Sequence, residues 1–286
     1  MTEDRAGANG NADDDYCIQN GVAAYWERTE PEPGCVRRQY AGQDNIIPAW
    51  HSPEFITSIL QTSNTFDEFR NRLEYSLHSL MHNNIGGRLG DLTSKGSFND
   101  FVFLLIHSNI DRIWAKWQLA DQRNYFAYDG SWLSPDDGVT YPTASLDQEM
   151  NPFDILVQDA MAINSTELPI TYDEFFTAKP FQENIDAIRR TNSIKIRRRF
   201  PKLFESNPEI NPMYVDLPPV CSVDEFSGSL VKMTKPRILS NKEITRLNFN
   251  IKQMNQVQKE SIDFIDFMNS LDYLSAYTRR VKSKRT

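Results

Sequence analysis

No run in this chain approaches the roughly 18 to 20 consecutive apolar residues needed to span a bilayer, so no membrane partner is expected. The opening residues, Met1-Thr-Glu-Asp-Arg-Ala-Gly-Ala-Asn-Gly, are polar and acidic and lack the apolar core of a signal peptide. The sequence therefore leans cytoplasmic. Positive charge is short as well: a net charge of -8 argues against a nucleic-acid partner, because phosphate binding draws on a concentrated positive field. One basic run, from Arg189 to Arg199, goes against that balance and reads as a solvated segment. Cysteine is scarce. Three residues cannot all pair within one chain and are too few for a disulfide scaffold. Cys17 and Cys35 are close enough to bridge a short loop, whereas Cys221 stands apart and reads as a free thiol. Internal repeats are absent.

What is present is the composition of a globular chain, with 40% hydrophobic and 24% charged residues over 286 positions. Residues 1–15 read as a disordered leader, rich in Gly, Asn and Asp with nothing to bury. From Tyr16 to Pro48 the text is irregular, with turns at Pro31, Pro33 and Gly34. Helical text starts at Ser52-Pro53-Glu54, where a capping serine, a proline at the first helical position and an acid in the first turn coincide. A second helix is expected from Thr65, with Phe66, Phe69, Leu73, Leu77, Leu80 and Met81 at helical spacing, stopping at Asn83-Asn84-Ile85-Gly86-Gly87. A third opens at Ser97-Phe98-Asn99-Asp100 and runs to Ala120. Its first half, Phe101 to Ile106, is apolar all round and is expected to be buried on every side. Asp154 to Asp159 fits either a strand or a turn of helix. Asn164-Ser-Thr166 has the glycosylation pattern, unused without a secretory signal. Residues 200–238 read as extended. A long helix is expected from Asn241, opened by a Ser240/Glu243 capping box, with an apolar face of Ile244, Leu247, Ile251, Met254, Val257, Ile262, Ile265 and Met268.

Three of the four histidines fall within thirty residues of one another. His78 and His82, four apart, share a helix face and can offer imidazole nitrogens to one ion. His107 lies in the next helix, in a mainly apolar run where an imidazole costs free energy unless it bonds or binds something. Three neutral nitrogens without thiolate or carboxylate point to copper or zinc. His51, at a helix entrance with no partner in register, reads as an ordinary polar residue.

The text Leu73-Glu74-Tyr-Ser-Leu-His78-Ser-Leu-Met-His82-Asn-Asn-Ile-Gly86-Gly87, followed by Asp100-Phe-Val-Phe103-Leu-Leu-Ile-His107-Ser-Asn109-Ile-Asp111-Arg112-Ile-Trp114, resembles the copper-B half of the tyrosinase, catechol oxidase and haemocyanin family of type 3 copper proteins. Tyr16 to Gly21 and Cys35 to Arg38 are similar to the segment leading into that half in fungal tyrosinases. Ser270 to Ser275 is similar to text near the end of some of them. The resemblance implies a mainly α fold: a partial four-helix-bundle copper domain over residues 16–125, an irregular connection over 126–180 and a C-terminal extension over 181–286 with a long amphipathic helix. It implies copper on His78, His82 and His107, and oxidation of a phenolic small molecule to an ortho-quinone with dioxygen. Glu74 matches the acid that in the family orders a water taking the phenol's proton. Ser79 and Phe103 match positions beside the substrate pocket. Asn109, Asp111 and Arg112 match residues that hold the third ligand's helix.

The resemblance also sets a limit. Two coppers with three histidines each need six ligands, and the chain has four histidines. A complete binuclear centre is therefore not expected in one copy, and a second chain supplying copper-A becomes a possible partner. Two further readings stand beside this one. In the first, the segment is a non-enzymatic metal-binding or interaction module that pairs with a full-length family member. In the second, the triad is a single-zinc hydrolase site with Glu74 as base. Ile106 stands where the family usually has a histidine before the third ligand. Ser79 stands where phenol-hydroxylating members often carry asparagine, which favours diphenol over monophenol oxidation.

Overall fold

A computed structural model describes residues 6–43, 46–133, 140–141, 143–162, 169–172, 198, 232–273 and 275. The Asn164 sequon, Cys221, most of the basic run and residues 200–231 lie outside that set. The described residues are mainly helical: α1 Pro53–Thr62, α2 Phe66–Leu73, α3 Ser79–Gly86, α4 Val102–Ala120, α5 Val157–Met161, α6 Asn241–Arg246 and α7 Ile251–Ser270. Sheet is confined to antiparallel two-stranded pairs: β1 Glu27–Arg28 with β2 Gly34–Cys35, β3 Trp132–Leu133 with β4 Thr140–Tyr141, and β5 Glu149–Met150 with β6 Ile155–Leu156. Among the described residues no helix is long and apolar enough to cross a membrane.

The chain divides into two compact units. The first combines Met1–His51, Leu73–Asp111 and Lys235–Ser261. Its N-terminal part is anchored by two buried arginines. Arg38, with no solvent exposure, forks onto Asp100, Nε to Oδ2 at 2.8 Å and Nη2 to Oδ1 at 2.6 Å, while its Nη1 donates to the Ala6 carbonyl at 2.5 Å. Asp100 Oδ1 also accepts from Val102 N at 2.9 Å, so the same carboxylate caps α4. Arg28 pairs with Asp91, whose other oxygen accepts from Arg37 N at 2.8 Å. A Cys17–Cys35 disulfide ties the segment together, with Ile18, Ala23 and Val36 buried beneath it against Phe101.

Residues 6–15 differ from the disordered leader expected of them. Gly10 N donates to Arg38 O at 2.8 Å. A Cβ at Gly10 would lie 1.8 Å from the Tyr16 carbonyl oxygen, so only glycine fits that crossing. The ordering comes from Arg38, whose buried charge needs these backbone carbonyls as acceptors.

At the other end of the first unit, Leu80 of α3 packs with Leu239, Ile244 and Met254, flanked by Tyr75, Leu247 and Phe249. Of the apolar face expected from Asn241 onward, Ile244, Met254, Val257, Ile265 and Met268 are buried, but Ile251 is 42% exposed. The single long helix, however, is two helices. Phe249 N bonds to Ile244 O and Asn248 N to Thr245 O, both at 3.1 Å, around Asn248 at φ +56°. This is a Schellman stop with asparagine in the left-handed position. Asn250 then caps α7 through Oδ1, which accepts from Gln253 N at 3.1 Å.

The second unit holds Ser52–Arg72, Arg112–Thr234 and Ile262–Thr286. Ser52 Oγ accepts from Phe55 N at 3.3 Å, with Pro53 opening α1 as its sequence demands. Fully buried Trp117 stacks on Phe69, with ring centres 4.8 Å apart and planes 7° from parallel. Glu54 is buried and accepts from Ser275 Oγ at 2.6 Å and Tyr273 Oη at 3.2 Å. Burial raises its pKa, partly offset by these hydrogen bonds. The ambiguous segment from Asp154 resolves as both alternatives in series, strand β6 and then α5.

Candidate metal centre

The path from α2 to α3 is continuous helix interrupted at one place. Glu74–His78 forms a π turn in which Ser79 N reaches back five residues to Glu74 O. Such single-turn π bulges concentrate at functional sites, and this one carries the first histidine. One turn later on α3 is His82, and His107 projects from α4. The ring centres of His78, His82 and His107 lie 4.7, 5.1 and 5.3 Å apart, pair by pair.

In each ring Nδ1 lies close to an oxygen of the protein. His82 Nδ1 lies 2.8 Å from Leu92 O, on the short helical turn Asp91–Thr93 between α3 and α4. His107 Nδ1 lies 2.9 Å from Phe103 O, one turn back on α4. His78 Nδ1 lies 2.7 Å from Glu74 Oε2. A carbonyl oxygen can only accept, so His82 and His107 carry the proton on Nδ1 and keep the Nε2 lone pair, whereas His78 Nδ1 is within ion-pair reach of Glu74 without being aligned for a hydrogen bond. The ligand nitrogens converge: all three lie within 4.8 Å of one another, with His78 Nε2 and His107 Nε2 3.2 Å apart.

Two imidazole nitrogens at that distance either share a proton or hold a cation between them. Nitrogens about 2.0–2.1 Å from one ion in tetrahedral array sit roughly 3.3 Å from each other, so the spacing fits a metal. His82 Nε2 is buried without a hydrogen-bond partner among the described residues, as expected of a ligand atom. Burial pushes the His82 pKa down to about 4, His78 nearby adds to the effect and the Leu92 carbonyl opposes it, so the ring is neutral and ligand-ready at pH 7. This is the one group of three or more potential metal ligands found among the described residues.

Phe103 packs on His107 with ring centres 3.9 Å apart. Ser79 is buried, and its hydroxyl donates to Ser76 O at 3.4 Å within its own helix. Asn109 is half-buried and Asp111 exposed along α4, while Arg112 falls in the second unit. His51 is buried in the first unit with Nδ1 2.9 Å from Ser261 Oγ, and burial lowers its pKa to about 3. It is a core histidine outside the triad. One expectation fails: α4 is not buried all round at its start. Val102 and Ile106 are buried, but Leu104 is 59% and Leu105 51% exposed, because the helix packs on the unit through one face only. The sequence reading also missed the Leu92 and Phe103 carbonyls as the groups orienting two ligands. Backbone acceptors carry no side-chain signature, although the four-residue step from Phe103 to His107 could have suggested the second.

Comparison with known proteins agrees with this geometry. Residues 8–120 match the common central domain of tyrosinase. Over this stretch the chain is similar to the tyrosinase family. Hemocyanin 2 of Megathura crenulata is 34% identical over 73 residues, which is 24% of this chain and 2% of that protein. The tyrosinase-like protein phomQ2 of Diaporthe leptostromiformis is 33% identical over 87 residues, which is 30% of this chain and 21% of its own length. The chain thus spans about a fifth or less of these curated relatives. Copper is the metal of the tyrosinase family, and a set of three imidazoles suits it.

Proposed function

We propose that His78, His82 and His107 hold one copper ion and that the domain is a tyrosinase-like oxidoreductase segment acting on phenols or catechols with dioxygen. The observation that carries this reading is the convergence of ligand nitrogens from three histidines, two of them fixed from behind by backbone carbonyls and the third beside the Glu74 carboxylate. Copper, when bound, supplies the redox chemistry by which dioxygen oxidises a phenol to an ortho-quinone. The protein's own contribution is positioning. Glu74 holds the His78 ring and is the candidate base for the phenolic proton. Phe103 forms an aromatic wall beside His107 where a phenol ring would stack, and Ser79 flanks the first ligand. Asn109, Asp111 and Arg112 are proposed to hold the α4 ligand in register.

Six ligands make the paired centre of the family, and the chain has four histidines, so we propose that one copy is inactive alone. Exposed Leu104 and Leu105, three and two residues before His107, favour a second reading, in which this face docks on a copper-A-bearing partner. The Cys17–Cys35 disulfide weighs against a reducing compartment and so against the cytoplasmic leaning.

The test is to load the purified chain with copper and assay catechol oxidation, alone and with a complete tyrosinase inactivated at its copper-B site. One bound copper with little oxidation alone and recovery on mixing supports both readings. Bound zinc and ester hydrolysis without copper uptake contradicts them.

A further inference from the structure

A second concavity of the first unit, about 520 Å³ in volume, opens between the Gln39–Gly42 loop, the end of α3 and helix α6. Its size falls in the range of small-molecule sites. Its charge is opposite to that of the chain. Arg88, Arg237, Lys242 and Arg246 line it with Glu243 as the one acid, although the whole chain carries -8. Glu243 is already committed: it pairs with Arg237, and its Oε2 accepts from Ser240 N at 2.9 Å and Ser240 Oγ at 2.8 Å. Arg88, Lys242 and Arg246 have exposed side chains with no carboxylate partner among the described residues. Lys242 and Arg246 stand one turn apart on α6, so both reach the same mouth. Gln39 fixes the opposite wall, its Oε1 accepting from Arg88 N at 2.9 Å and Leu89 N at 3.0 Å. Among the described residues the cleft therefore presents three cations without a carboxylate partner.

We propose that this cleft binds a small phosphate monoester, with Arg88 and Arg246 gripping the phosphate as guanidinium forks and Lys242 adding a point charge. Guanidinium matches two oxygens of such a group at once. The volume leaves room for an organic substituent beyond the phosphate itself. The site is separate from the histidine triad and does not depend on the copper reading.

Calorimetric titration of the full chain with phenyl phosphate, benzoate and sodium chloride in matched ionic strength tests it. Saturable binding of phenyl phosphate is expected, at least tenfold tighter than benzoate. It should weaken tenfold or more in an R88A/R246A variant whose circular dichroism and copper uptake are unchanged. Both residues are exposed, so the variant should fold. Heats no larger than those of chloride, or phenyl phosphate binding unaffected by R88A/R246A, would overturn the assignment.

Discussion

Each imidazole of the triad has a different oxygen beside its Nδ1, and the three are not equally replaceable. The Leu92 and Phe103 carbonyls belong to the backbone and survive any side-chain change at their own positions. Glu74 does not. Removing an outer partner of a metal-bound histidine weakens metal affinity by about 10- to 100-fold. Glu74→Ala is therefore expected to lose copper affinity in that range, while Glu74→Gln, which keeps an acceptor facing His78 Nδ1, retains most of it. Competition with a copper chelator measures this, and equal affinity in Glu74→Ala and the parent protein would remove Glu74 from the account. The candidate ligands were legible in the sequence because i, i+4 spacing and a histidine in an apolar run are side-chain signals. Their orienting groups were not, since two of them are carbonyls.

At the scale of the element, the helix ends show where local chemistry overrides periodicity. The apolar face from Ile244 to Met268 continues through Leu247-Asn248-Phe249-Asn250 without a Gly or Pro, so the pattern predicts one helix. The break comes from Asn248, which tolerates the left-handed region because its short amide can bond locally, and from Asn250, which caps the next helix. Asn248→Gly is expected to leave thermal stability unchanged or slightly raised, whereas Asn248→Val should cost about 1–2 kcal/mol, since a β-branched residue resists positive φ. Urea unfolding of the two variants decides it, and a neutral Asn248→Val would contradict the strain argument. The start of α4 gives the complementary lesson. A run apolar on all sides was read as fully buried, but Leu104 and Leu105 face outward, and composition cannot tell a buried face from one awaiting a partner. The cap at Ser52 and the capping box at Ser240 were legible because their signals are confined to a few adjacent residues.

For the whole molecule, the long-range ties are charged and buried, and this sets the response to mutation and pH. Breaking a buried ion pair by removing one partner costs roughly 3–5 kcal/mol. Arg38→Ala is thus expected to lower the melting temperature by more than ten degrees, and a shift of a degree or two would show that Asp100 and the 6–15 segment are held otherwise. These ties could not be read from sequence, because Arg38 and Asp100 are 62 positions apart.

Two buried groups act in opposite directions with pH. His51 has its pKa lowered from 6.5 to about 3, so the unfolded chain takes the proton first. Stability is lost as pH falls from 6.5 towards 3, by about 2 kcal/mol at pH 5. Glu54 has its pKa raised above 4.5, so its contribution is full below that value and is lost as pH rises. Glu54→Gln keeps an acceptor for Tyr273 and Ser275 without the ionisation. It is expected to gain stability over the parent at pH 8 and to lose that advantage at pH 4, as melting curves at the two values will show. A variant weaker at both would mean that the carboxyl is needed for its shape rather than tolerated for it.

The central claim is that three imidazoles make one copper site. It is tested most directly by copper content and the electron paramagnetic resonance spectrum of the copper-loaded chain. The account predicts one Cu(II) per chain with nitrogen hyperfine coupling, absent from His82→Ala and His107→Ala and intact in His51→Ala. A chain that binds no copper, or one that keeps its copper in His82→Ala and loses it in His51→Ala, would contradict it.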